Sequence, residues 1–429
     1  MIIRPGAIVI SALGILAGLL MADWRAALAV NVLALLLALV DAGLAPRPID
    51  LAVARESEAT TRLGQTVVAK LTLTNLSRRP LRGEIRDAWP PSAGVEPSRH
   101  KVNLNAGERR VVRAAMTPTR RGTRKSEAVT IRTFGPMRIG GRQKTFDTLW
   151  DLRVLPPFHA KRHLPSRLTR LRELEGRALL LVRGQGTEFD SLREYVAGDD
   201  VRAIDWRSTA RRGETVVRTW RPERDRRVVI VVDSGRSGAQ RVDDAPAFDS
   251  YIETALLMSA LATKAGDRVD VIVIDNEVQA RVAGEQGAGL MNKVANKLAD
   301  VEPSLSATAW PLAITEVAGV TTRPALVILL TAVGSGTVAS GLLDVIPTLA
   351  RTHTVLVASA HSALGEVTAE TQTMDSVYEA AAFARGELET EAISSEMRRL
   401  GATIVRADPE GLPPKVADTY LELKARGKL

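Results

Sequence analysis

The sequence predicts an α/β fold: a mostly parallel sheet with helices on both faces, preceded by a small antiparallel β-sandwich and an N-terminal transmembrane helical hairpin. Three observations predict it. Val228 to Asp233 (VVIVVD) is an unbroken, largely β-branched run that ends in the polar turn Asp233-Ser234-Gly235-Arg236-Ser237. Such a run suits a strand buried on both faces, and the carboxyl end of such a strand is where open α/β sheets present their sites. Upstream, residues 49–156 alternate apolar and polar with a period of two, and ahead of them two apolar runs flank Asp23-Trp24-Arg25.

Taken in order, the apolar runs are Gly6 to Ala22 and Ala26 to Ala45, each near the roughly 20 residues a helix needs to cross the hydrocarbon layer. Arg4 precedes them and Arg47 and Arg55 follow, whereas the turn carries one Arg offset by Asp23. The positive-inside bias then predicts a multi-pass membrane protein, both ends and the whole soluble part facing the cytoplasm. A cleaved signal peptide is the rival reading of the first run. Ser11 and Asn31 suit a contact between the helices, and Asp41 suits the headgroup level.

In residues 49–156, Val67, Ala69, Leu71 and Leu73 alternate with polar residues, Asn75 to Pro80 signals a turn, and Val102, Leu104, Val111, Val129 and Ile131 continue the pattern. Short alternating strands of this kind predict a sandwich. Arg78, Arg79, Arg109, Arg110, Arg120 and Arg121 read as solvated surface or as a face toward anionic lipid.

Residues 157–227 form a linking segment. Its Arg183-Gly184-Gln185-Gly186 stretch lacks the spacing and the Gly-Lys-Ser/Thr ending of a phosphate loop. In Leu192 to Arg211, the acids Glu194, Asp199, Asp200 and Asp205 interleave with Arg193, Arg202, Arg207 and Arg211. Two readings stand: charge-assisted pairs and caps that fix the segment, or paired carboxylates for general acid and base work. Thr215 to Trp220 reads as an edge strand.

Residues 228–429 supply the α/β domain. After the Val228 strand come a helix from Phe248 to Lys264, a strand from Arg268 to Asp275, a helix around Val294, a strand from Leu326 to Leu330, a strand from Thr352 to Ser359, a strand from Ala402 to Val405 and a closing helix from Val416. Strand and helix in this order imply right-handed crossovers. No Gly-x-Gly-x-x-Gly turn follows the first strand and no Gly-x-Ser-x-Gly elbow is present, which disfavours a dinucleotide fold and a serine hydrolase.

Composition narrows the classes further. The chain has 429 residues, no cysteine, a formal net charge of +9 and only 4% aromatic residues. Disulfides, thiolate metal sites and a cysteine nucleophile are excluded, anionic partners are favoured, and base-stacking platforms are a poor fit.

LREYVAGDDVRAIDW, STARRGETVVRTW and VVIVVDSGRS, with TPTRRGT and the two apolar runs before them, resemble the membrane-anchored bacterial family of domain of unknown function 58, whose carboxyl half is similar to a von Willebrand factor A domain. The resemblance implies a protein-binding adaptor or assembly factor that works with a MoxR-type AAA+ ATPase and its client, and no enzymatic activity. It also implies a metal-ion-dependent adhesion site in a degenerate form. Asp233 and Ser237 hold its first and last loop positions, but Gly235 replaces the middle serine and Thr331-Ala332-Val333-Gly334 offers no carboxylate. Mg²⁺ at Asp233 and Ser237 is therefore disfavoured, and no cofactor is expected; Thr308 is a weak candidate for the second-loop threonine. The expected protein-binding rim comprises Asp233, Ser234, Ser237 and Thr331, extended by Glu194, Asp199, Asp200 and Asp205. The alternatives are a metal-assisted hydrolase using Asp199, Asp200 or Asp205 with Asp233, and nucleic-acid binding through Arg211, Arg212, Arg218, Arg221, Arg224, Arg226 and Arg227. Acidic residues interrupt that arginine run, so nucleic acid is the weaker partner.

Overall fold

The structure is a computed structural model that describes all residues except 1, 4, 21–23, 182–187, 222–225, 285–286, 288, 363–373 and 428–429. The Gly184-Gln185-Gly186 stretch and Arg224 thus lie outside the described residues. The chain divides into two compact units, Met1–Pro157 and Phe158–Leu429.

The first unit opens with two helices, α1 (Pro5–Leu20) and α2 (Trp24–Leu44). They pack through glycine: a Cβ added at Gly14 would lie 2.6 Å from Val30 Cγ1, and one at Gly18 would collide with Ala27. Small residues four apart let two apolar helices approach closely, and the Ser11 hydroxyl donates to the Asn31 carbonyl across the same seam. Away from it the side chains stay bare, among them Ile8, Leu13, Leu33 and Leu36, each more than half exposed. The stretch Trp24–Asp50, with α2 at its core, is long and apolar enough to cross a membrane, a property that anchors share with signal sequences. The expected multi-pass anchor is corrected to one candidate span among the described residues, because the first apolar run falls short in α1. At 16 residues and 1.5 Å per residue, α1 reaches only about 24 Å against a hydrocarbon layer of about 30 Å.

The same unit has ten strands among its described residues, β1 before the helices and nine after them: β1 (Ile2–Ile3), β2 (Leu51–Ser57), β3 (Thr60–Arg62), β4 (Val67–Asn75), β5 (Leu81–Asp87), β6 (Val95–Glu96), β7 (Arg99–Leu104), β8 (Arg109–Met116), β9 (Gly122–Phe134) and β10 (Gly140–Leu155). One sheet runs β1-β10-β9-β5-β7, with β3 on β10, and the other runs β2-β4-β8-β6. Alternation puts Leu71 and Leu73 of one sheet against Ile85, Val102 and Ile131 of the other in a single core, as a sandwich requires. Asn75 holds the turn its sequence announced, donating to the Arg79 and Asn105 carbonyls at 2.9 Å. Asp41, expected at the headgroup level, is fully buried against protein. Its carboxylate accepts the backbone N–H of Met137, Ile139 and Gly140, the β9–β10 turn, at 2.8, 2.8 and 2.9 Å.

The second unit contains β11 (Glu188–Glu194), β12 (Val216–Arg221), β13 (Arg227–Asp233), β14 (Arg241–Val242), β15 (Ala245–Pro246), β16 (Arg268–Ile274), β17 (Val278–Val282), β18 (Leu326–Leu330), β19 (Thr354–Ala360) and β20 (Ala402–Ala407). The main sheet has the order β17-β16-β13-β18-β19-β20, with β13 central and every residue from Val228 to Asp233 buried. The helix Ala247–Lys264 buries thirteen residues, Phe248, Tyr251 and Leu256 among them. A separate layer of Trp310, Val317, Leu342, Ile346 and Met397 packs with Val229, Val231 and Leu329.

This topology corrects the expected fold class. Among the described residues, ten strand pairings are antiparallel and five parallel. Half the strands belong to the sandwich unit, and the sheet of the second unit is mixed, because β17 runs antiparallel to β16. The chain is therefore not a mostly parallel α/β fold of von Willebrand A type with a small β module attached. The overlooked feature was a hairpin turn at Asp275-Asn276-Glu277, where the Asp275 carboxylate accepts the Glu277 N–H at 3.0 Å. Thr215 to Trp220, read as an edge strand, falls in β12, which pairs with β11 in a two-stranded hairpin apart from the main sheet.

Candidate functional site

Two polar constellations stand out, and both lie in the second unit. The first is at the carboxyl end of β13. Asp233 is fully buried and its carboxylate is met from three directions: Thr308 Oγ1 donates to Oδ1 at 2.5 Å, Thr331 Oγ1 to Oδ2 at 2.6 Å, and the Gly235 N–H to Oδ1 at 2.8 Å. Burial pushes the Asp233 carboxyl above its usual range, and the two hydroxyls and the amide pull against that shift. The same burial, with the charge of Asp233, holds the Tyr251 phenol above its ordinary value. Asp275, at the end of the adjacent β16, has the opposite balance. Its burial opposes ionisation, yet donors from Gln279, Glu277 and Ser304 hold its carboxyl below the ordinary value.

The roof over both carboxylates is the loop 301–310. The Ser304 N–H donates to the Ser234 carbonyl at 2.7 Å, the Arg236 N–H to the Ser306 carbonyl at 2.7 Å, and the Ala309 N–H to the Asp275 carbonyl at 2.8 Å. A loop fixed this way at three points explains why the polar end of β13 is closed to solvent. It also explains the glycine in the Asp-x-Gly turn: a Cβ at Gly235 would collide with the Thr308 hydroxyl and lie 2.8 Å from the Ser306 carbonyl. The residue that departs from an adhesion motif is the one that admits the roof.

For Mg²⁺, this donor set is a poor match: Asp233 is the one carboxylate with described bonds to Thr308 and Thr331, whereas a hard divalent cation takes several oxygen ligands, carboxylates chief among them. Among the described residues there is no group of three or more His, Cys, Asp or Glu side chains placed to hold a metal. Ser237 is only half-buried and lies in the short helix Arg236–Ala239.

The second constellation is the β11–β12 hairpin with what it encloses. Arg193 grips Asp199 through two bonds of 2.7 Å, and Asp199 also accepts the Val196 N–H at 3.0 Å. Asp200 accepts the Arg202 N–H at 2.9 Å, capping the single turn Val201–Ala203. Asp205 caps the helix Trp206–Arg212 through the Ser208 N–H at 2.9 Å and pairs with Arg218 Nε at 2.7 Å. Those two partners, the Ser208 amide first, hold the Asp205 carboxyl below its ordinary value. Caps and bidentate pairs of this kind order a short segment that has little core of its own. They leave three apolar side chains facing solvent: Val196 is 61% exposed, Val201 62% and Trp206 69%.

Of the eight rim residues expected from the sequence, Asp233, Ser234 and Thr331 are buried beneath the roof, where they hold the strand end rather than present it. Asp199, Asp200 and Asp205 are engaged within their hairpin as pairs and caps, and Glu194 is exposed at the end of β11. Sequence reasoning missed the roof. Thr308 was its visible trace, but a loop that crosses strand ends has no periodicity to announce it.

A family model matches this half of the chain. Residues 191–375 match the family model described as protein of unknown function DUF58. Uncharacterized proteins of Mycobacterium tuberculosis and Mycobacterium bovis are 30% identical to the chain over 114 residues, which cover 27% of it and 36% of theirs; the matched stretch thus spans about a third of the length of those relatives. Among solved structures, a PapD-like domain of human CEP192 is similar at 14% identity over 26% of the chain and 89% of its own length, with a TM-score of 0.21. The CARDB domain of the PF1109 protein of Pyrococcus furiosus is similar at 15% identity over 25% and 88%, with a TM-score of 0.19.

Proposed function

We propose that the protein is a membrane-tethered, protein-binding adaptor. In this reading α2 spans the membrane, α1 packs along it as the other half of a hairpin, and the soluble part faces the cytoplasm. The bare apolar surface of both helices supports the tether, and the arginines before and after them support the orientation. The partner surface is the β11–β12 hairpin. The observation that carries it is that the acids Asp199, Asp200 and Asp205 are engaged by pairs and caps within the hairpin while Val196, Val201 and Trp206 remain outside. An exposed Trp on a capped, pre-ordered segment has the chemistry of a binding anchor. The resemblance seen in the sequence makes a MoxR-type AAA+ ATPase, or its client, the partner of choice.

Crosslinked, detergent-extracted pull-downs from native membranes test this. Trp206→Ala with Val201→Ser is expected to lose the ATPase or client that the unaltered chain recovers. Equal recovery by both would remove the hairpin as the interface.

A further inference from the structure

We propose that the outer face of the β5–β7–β9–β10 sheet is a binding site for anionic lipid headgroups, held against the membrane by the Asp41 clamp. The inference rests on the reading that α2 spans the membrane. Two ladder rows cross this face. One is Lys101–Glu84–Arg132–Gln143 and the other is Arg99–Arg86–Thr130–Thr145. They carry Arg86, Arg99, Lys101 and Arg132 against the single carboxylate of Glu84. Six of these residues, Glu84, Arg86, Arg99, Thr130, Arg132 and Gln143, line one open cavity.

Two features mark the cavity as a place for an anion. Arg86 and Arg99 stand directly opposite each other on neighbouring strands, an arrangement that is unfavourable between like charges unless something negative lies between them. The local counter-charges do not balance it. Glu84 reaches Arg99 at 3.5 Å, Arg132 donates to the neutral Gln143 at 2.9 Å, and Arg86 has no ion pair among the described residues. Guanidinium groups, a hydroxyl and an amide are the donors that a phosphate takes.

The occupant follows from where the face is held. Asp41, three residues from the end of α2, binds three amides of the β9–β10 turn, and Arg142 donates to the Ala42 carbonyl at 2.8 Å. No Cβ fits at Gly135 or Gly140, where the turn meets α2. The turn is thus fixed at the level where α2 leaves the hydrocarbon, with Met137 48% exposed at its tip. Arg132 and Gln143 lie two residues along the strands from the Phe134–Gly141 pair, about 7 Å, and the Arg86 row about 14 Å. A headgroup layer of roughly 5–8 Å plus a screening length of about 8 Å reaches both rows.

The absence of cysteine permits a clean test on the full chain. Thr145→Cys carries a fluorophore in nanodiscs of phosphatidylcholine, with or without phosphatidylglycerol, with a headgroup-attached quencher. Phosphatidylglycerol is expected to raise quenching severalfold, and 0.5 M salt to abolish the rise, roughly as screening at that ionic strength demands. Each basic group near an anionic surface contributes roughly fivefold, so R86Q/R99Q/R132Q is expected to cut the contact equilibrium about a hundredfold. Equal quenching in both lipids, or an unchanged triple variant, would overturn the proposal. Millimolar inorganic phosphate acting on the label in phosphatidylcholine alone, without any lipid dependence, would make this a soluble-anion site and overturn it too. Release of the chain by alkaline carbonate would instead refute the membrane reading; retention without lipid-dependent quenching refutes this inference alone.

Discussion

The lock on Asp233 makes a quantitative prediction. Thr308→Val and Thr331→Val keep the side-chain volume and each deletes one hydroxyl from a buried carboxylate. A hydrogen bond to a charged, buried group contributes about 1.5–3 kcal/mol, so a loss near 2 kcal/mol corresponds to roughly 30-fold faster opening. The assay is hydrogen exchange of the amides of β13 and β18, read in the full chain. Its pH dependence carries the reasoning. Burial raises the folded-state pKa of Asp233 above its ordinary 3.8, so its contribution to stability is complete below that ordinary value and is lost as pH rises through the folded one. Deleting a hydroxyl raises the folded value further and moves that loss to higher pH. The penalty is therefore expected to be larger above the raised folded value than below the ordinary 3.8, where a protonated Asp233 makes only neutral bonds. In an Asp233→Asn background each deletion is expected to cost markedly less. A penalty of equal size in both pH ranges, or in the Asn background, would refute the charged lock.

Three further outcomes follow from the same geometry. Gly235→Ala is expected to destabilise the second unit by about 1–3 kcal/mol through overpacking against Thr308 and Ser306, seen as faster exchange of the loop 301–310; unchanged exchange there would remove the steric account of Gly235. Asp41→Asn leaves one acceptor oxygen for three amides, so at least one buried N–H loses its partner at about 1–3 kcal/mol, and the β9–β10 turn is expected to exchange faster while β4 and β8 do not. Asp205, held below its ordinary 3.8 by Ser208 and Arg218, contributes stability above that value that is lost as pH falls through the lower folded one; opening of the helix Trp206–Arg212 is expected to speed up in that acid window, and Asp205→Ala to abolish the pH dependence.

What was legible in the sequence was whatever has a period or a cap. The β-branched run of β13, the alternation that builds the sandwich, and the helix around Leu256 emerged within a few residues of their observed bounds. Of the interleaved charges from Arg193 to Arg211, Arg193 and Asp199 form the expected kind of pair and Asp200 and Asp205 act as caps, because Asx caps and close Arg–Asp pairs are local; the Arg218 partner of Asp205 was not foreseen. The hairpin that reverses at Asp275, the roof from 301 to 310 and the Asp41 clamp escaped. The roof and the clamp depend on partners distant in sequence, up to 99 residues for Asp41 and Gly140, which no local pattern encodes; the Asp275 turn is local, and what was missed there is that the chain reverses at it. The fold class failed for that reason: period and order suggested a parallel sheet, but β17 and the separate β11–β12 pair are settled by where chains turn back.

The two constellations also differ in what a binding partner could use. Asp233 satisfies its charge inside the fold, so its strength as an acceptor is spent on Thr308, Thr331 and Gly235, and a partner arriving at the roof meets Leu305, 77% exposed, before any carboxylate. In the β11–β12 hairpin the same internal satisfaction has the opposite effect. Asp205 caps the helix at whose first residue Trp206 stands, so the backbone that carries the indole is ordered before any encounter. Ordering a rotamer-rich segment at an interface costs roughly 0.5–1.5 kcal/mol per side chain, and a segment fixed in advance by its own caps and pairs avoids much of that. Acids engaged within the segment and an aromatic group left outward is the division of labour a docking surface requires; at the end of β13 the carboxylate is likewise engaged, and the large apolar group left outside is the aliphatic Leu305 rather than an aromatic.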